Sequence, residues 1–144
     1  ENTLSIPCSP YEKEAGLVWL PRMLDKARKL SEGTLDDDYL ENAGKGHDAR
    51  CCRFLKVDYG DIVKRVEEGL SDSEIAEWCF SNGRRPDDFD IEIWNAYMIK
   101  LGTMDGNPGL AEYIAKRKVE CGLAHRDDIV TFFTLIDTDE GRLD

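Results

Sequence analysis

An all-α fold, an irregular compact cluster of about six or seven helices with little or no β-structure, is what this chain predicts. Three observations carry that expectation. Every strong apolar periodicity is helical, with large side chains returning after three and four residues. The breaks between periodic stretches are short and marked by Gly and Pro. No alternating apolar and polar run reads as a strand or hairpin.

Residues 1–16 hold Pro7, Pro10 and Gly16 among scattered polar groups, which suits an extended N-terminal arm, laid over the surface or mobile. A single helical domain is expected over residues 17–144. Leu17, Leu20, Leu24 and Ala27 mark the apolar face of its first helix, with Pro21 early in it and Gly33 closing it. Residues 34–47 read as the longest loop. Asp48 is a natural cap for a short helix through Cys51, Cys52, Phe54 and Leu55, and Ile62, Val63 and Val66 mark another before Gly69.

Ser71 and Glu74 fit a capping box for a helix with Ile75, Trp78 and Cys79 that ends near Gly83. Ile91, Trp94, Met98 and Leu101 recur at helical spacing before Gly102. Asn107 and Pro108 supply a cap and a first-turn proline for a helix with Leu110, Ile114 and Cys121, closed by Gly122. Ile129, Phe132, Phe133 and Ile136 form the clearest stripe, with Asp127 or Asp128 favouring its N-terminus. The first helix and the last three carry Trp19, Trp94, Tyr97, Phe132 and Phe133 and, with Trp78, are the expected core.

The formal net charge is −11, from 30 acidic and 19 basic residues. A field of that sign repels phosphate backbones, so nucleic acid is not an expected partner. No apolar run approaches the roughly 20 residues of a membrane span, and no basic segment followed by an apolar one opens the chain, so no membrane association is expected. The chain begins at Glu1 rather than Met, which leaves room for an upstream segment. The five cysteines are odd in number, include the adjacent Cys51 and Cys52, and show no paired metal spacing. Reduced thiols in a soluble cytoplasmic protein account for them best.

Three blocks stand out. They are residues 20–28, reading LPRMLDKAR, then Trp94-Asn95-Ala96-Tyr97-Met98, then residues 126–142, reading RDDIVTFFTLIDTDEGR. In order and spacing they resemble an uncharacterised bacterial family, domain of unknown function 5069, with the likeness running from about Leu17 to Arg142. The resemblance implies a small bacterial protein and brings no established activity, cofactor or catalytic residue.

Several groups are weighed as sites. His47 shares a helical face with Cys51, but zinc needs four ligands and no second spaced pair supplies them. The same thiols, flanked by Arg50 and Arg53, would serve as nucleophiles only if their pKa were lowered; core packing is the plainer expectation. Asp137-Thr138-Asp139-Glu140-Gly141 lacks the alternate-position ligands of a calcium loop. Asp87, Asp88, Asp90 and Glu92 suit capping better than acid–base work. Arg22, Lys26 and Lys29 line a basic stripe expected on a solvated face, with Asp25 able to pair with Lys29.

No catalytic residue, metal ligand or cofactor is therefore expected. Weak ligand-binding candidates are Arg22, Asp25, Trp94, Asn95, Arg126, Asp128 and Arg142, the last five placed to line a cleft between the last helix and the Trp94 helix. The leading functional expectation is a non-enzymatic protein-interaction or accessory domain, with a protein partner or a homo-oligomer. The alternative is a small-molecule-binding protein or an enzyme of undetermined reaction. A deep apolar pocket with convergent polar groups would favour the alternative, and an apolar patch rimmed by charge the first.

Overall fold

Leu17, Leu20, Met23 and Leu24 are wholly buried, and the architecture of the first half of the chain grows around them. The structure, a computed structural model, describes residues 5–103 and 108–143. Seven α-helices, one short 3-10 turn and a two-stranded ladder make up the described residues, so the mostly helical expectation is met. The chain divides into two compact units, one through Glu92 and one from Ile93.

In the first unit, β1 (Lys13–Glu14) and β2 (Leu17–Val18) pair antiparallel, Lys13 with Val18 and Glu14 with Leu17. Ala15 and Gly16 form the two-residue turn, both at positive φ (53° and 86°), as a hairpin of this length requires. Only two residues long on each side, the strands leave no alternation to read, and the sequence gives no hint of them. Upstream, Ser5 bridges Leu35, and the backbone of Cys8 is held by the side chains of Arg22 and Asp25.

Helix α1 (Leu20–Glu32) carries Pro21 in its first turn and ends on left-handed Gly33, as its residues predict. It packs chiefly on α3 (Tyr59–Glu67), which also meets α2 (His47–Leu55) and α4 (Asp72–Asn82). The Ser71–Glu74 capping box forms at the start of α4. At its end, Gly83 presses on the C-terminus of α2. A Cβ there would sit 2.1 Å from the Leu55 carbonyl oxygen, which instead accepts the Arg84 N–H at 2.8 Å.

Helix α5 (Asp88–Lys100) contains the boundary between the units. In the second unit, α6 (Pro108–Glu120) and α7 (Phe132–Asp139) join it, with Trp94, Met98, Leu101, Ile114, Ile129, Phe132 and Phe133 buried. The Phe132 N–H donates to the Leu101 carbonyl at 3.0 Å, and Lys118 Nζ donates to the Ile129 carbonyl at 3.1 Å. Asn107, the expected cap of α6, lies outside the described residues.

The expectations for the start of α7, for Tyr97 and for Asp48 need correction. Helix α7 starts at Phe132, not near Asp127 or Asp128, because Thr131 Oγ1 accepts the Thr134 N–H at 3.2 Å and caps it. Tyr97 is 47% exposed rather than core. Asp48 does not cap α2. It occupies the second helical position and is completely buried.

Candidate functional site

The burial of Asp48 organises a polar cluster inside the first unit. Its carboxylate accepts the Trp19 indole N–H at 2.8 Å on Oδ1 and the Gly44 backbone N–H at 3.0 Å on Oδ2. Lys26 Nζ lies 2.7 Å from the same Oδ2, and Lys26 is itself 5% exposed. A buried charge pair is tolerable only when its lone pairs and protons are met, and these donors meet the carboxylate. Gly44 has φ +80°, and a Cβ there would stand 2.7 Å from the Tyr59 ring, so the loop can bring its N–H to Asp48 only as glycine.

Trp19 is the hub. The Lys26 ammonium lies 5.2 Å and the Arg22 guanidinium 5.5 Å from its ring centroid, and the His47 ring sits 4.8 Å away, tilted by 60°. Arg22 is also 5.6 Å from the Tyr39 ring, so its cation lies between two aromatic rings. Trp19 has φ +73°, a conformation that costs a bulky residue about 1–3 kcal/mol and persists only where surroundings impose it. Burial, reinforced by the nearby Arg50, Lys26 and Arg22 cations, lowers the His47 imidazole to about 3 and keeps it neutral.

The basic stripe of α1 is therefore not a solvated face, since Arg22 and Lys26 are buried at 3% and 5% exposure. Arg22 and Asp25 together clamp one residue of the N-terminal segment. Arg22 Nη1 donates to the Cys8 carbonyl at 2.9 Å, and the Cys8 N–H donates to Asp25 Oδ2 at 2.9 Å. The anticipated Asp25–Lys29 pair forms at 2.6 Å.

The other five candidates lie in the second unit. Trp94 is 4% exposed, with Asn95 beside it on α5. Arg126 donates to both carboxylate oxygens of Asp128, at 2.9 and 2.8 Å, and that bond holds the Asp128 carboxyl down at about 2. Arg142 donates to Asp137 at 3.0 Å and also pairs with Glu140.

Thiol chemistry requires a lowered pKa, and the thiols here move the other way. Burial raises Cys8 and Cys52 to about 12, Cys79 to about 11, and Cys51 well above its usual value. An open groove of about 530 Å³ beside α2 is lined by both signs of charge, Arg53, Lys56, Asp58 and Asp61, with Trp78 and Asn82. Among the described residues no three His, Cys, Asp or Glu side chains converge as a metal would need, and no helix is long and apolar enough to cross a membrane.

On α5, Phe89, Ile93 and Tyr97 follow one another at four-residue spacing, 66%, 51% and 47% exposed. Such residues stack along one helical face. Ala96 and Lys100 are exposed on the same face, with Glu92 and Asp88 along its edge. Trp94, Met98 and Leu101 occupy the buried side of the same segment. The helix is thus apolar on two sides, one of which faces solvent.

The sequence model of one family, described as a domain of unknown function (DUF5069), matches residues 5–142. The chain belongs to the DUF5069 family. No curated protein matches it significantly. In this DUF5069 chain the match covers both the Asp48 cluster and α5. The sequence missed both features for physical reasons. A lone Asp at a helix start reads as a cap, and the Trp19 indole that Asp48 binds is 29 residues away in sequence. The face of α5 was hidden because its two apolar sides cancel in any amphipathic reading.

Proposed function

We propose that this chain is a non-enzymatic protein-interaction module and that the outward face of α5 is its binding surface. One observation carries the reading. Phe89, Ile93 and Tyr97 form an exposed apolar row along one helix, edged by Asp88, Glu92 and Lys100. Helical surfaces recognised by other proteins present anchors at this spacing, and a contiguous apolar patch rimmed by charge marks an interaction site. A net charge of −11 sets the module against phosphate-backbone partners.

A small-molecule role has one observation in its favour, the groove beside Trp78. Native mass spectrometry of protein purified gently from its own host separates the readings. Wild-type chain is expected to carry a second polypeptide, and Ile93→Asp, folded by circular dichroism, is expected to be bare. A wild-type chain that stays bare and monomeric across a series reaching about 0.5 mM protein would overturn the interaction reading, and a bound small molecule in place of a protein companion would favour the groove.

A further inference from the structure

The charges along the exposed face of α5 are arranged to complement themselves. Glu92 and Lys100 are four residues either side of Ala96, the smallest side chain of the face. At 1.5 Å per residue each lies about 6 Å along the axis from it. Asp88, Glu92 and Lys100 are exposed and take part in no ion pair among the described residues. Their neighbour Asp90 is engaged by Arg84 at 2.9 Å.

We infer that the partner of this face is a second copy of the chain, bound antiparallel about a two-fold axis at Ala96, with Glu92 of each copy opposite Lys100 of the other. The inference rests on the interaction reading above. A two-fold interface must match its own surface, and a charge pattern of opposite sign about a small residue does so. Ala96 lets the helix axes approach to the ~8–10 Å of packed helices. Ile93 and Tyr97 then fill the seam beside the axis. The antiparallel arrangement also opposes the two helix dipoles and sets Asp88 near the partner copy's Lys100 end. A parallel pair would place Glu92 on Glu92 and Lys100 on Lys100, a like-charge contact that disfavours it. One helix face per copy is small for an interface, so association on the order of 10–100 µM is expected.

Sedimentation velocity across a concentration series tests this with three proteins. Wild type is expected to dimerise. Glu92→Lys and Lys100→Glu, each placing like charges opposite each other twice, are expected to weaken dimerisation at least about tenfold. Mixing the two single variants should restore it, because each then supplies the charge the other lacks. Circular dichroism of the separate variants shows that they are folded. A wild type that stays monomeric well above these concentrations, or variants whose mixture associates no better than either alone, would overturn the antiparallel dimer. Host-purified wild type carrying a different polypeptide on α5 would overturn self-association while leaving the interaction reading in place.

Discussion

Asp48→Ala is expected to lower the free energy of unfolding by about 3–5 kcal/mol, read as a shift of the urea midpoint at unchanged slope. The substitution leaves the Lys26 ammonium, 5% exposed, without its carboxylate, and deprives the Trp19 indole and the Gly44 N–H of their acceptor. The cost comes from stranding a buried charge rather than from the strength of the pair itself. Lys26→Met in the Asp48→Ala background should therefore recover part of the loss. In the double-mutant cycle the coupling between positions 26 and 48 is expected at about 1–3 kcal/mol. A midpoint shift below about 1 kcal/mol, or additive effects, would show that the cluster is not the support described.

Stability is expected to fall as pH drops, with His47 supplying a distinct part of the fall. In the unfolded chain the imidazole titrates near 6.5, whereas in the folded protein burial lowers it to about 3. Between those values the unfolded state binds more protons, so acid favours unfolding. The stability that depends on neutral His47 is fully present above the unfolded pKa and is lost as pH falls through this window. The slope approaches about 1.4 kcal/mol per pH unit for one fully differential proton. Urea unfolding of wild type and His47→Gln between about pH 7 and pH 5 measures it, and the variant's dependence should be shallower by about 1 kcal/mol per pH unit averaged over that range. Parallel curves would contradict a neutral, buried His47.

Much of the helical framework is legible in the residues, because caps and apolar periods are local signals. Ser71 with Glu74, Pro21 with Gly33, and the run from Ile62 to Gly69 each state a boundary or a face without help from the rest of the chain. Where the reading fails, the deciding partner is distant in sequence. Trp19 and Asp48 are 29 residues apart, and nothing near either announces the bond. Arg22 and Lys26 read as a charged surface because charge usually is, until Trp19, Tyr39 and Asp48 enclose them. Arg22 and Asp25 were singled out from the sequence as ligand-binding candidates, and the structure places both on the backbone of Cys8. The apolar period reaches back to the buried Ile129, whereas α7 begins only after its cap at Thr131.

The α5 face shows a different limit. Period alone finds the buried Trp94, Met98 and Leu101, but a second apolar row on the same helix reads equally well as core. Only exposure in the folded chain separates Ile93, at 51%, from Trp94, at 4%. The direct test of α5 as a binding surface is site-specific photo-cross-linking in the protein's own host. A benzoylphenylalanine in place of Ile93 is compared with one in place of the exposed Lys116 of α6. The account predicts a discrete cross-linked protein from position 93 and none from position 116, with the chain's own peptides in the product. No adduct at position 93, or the same adducts from both positions, would contradict it.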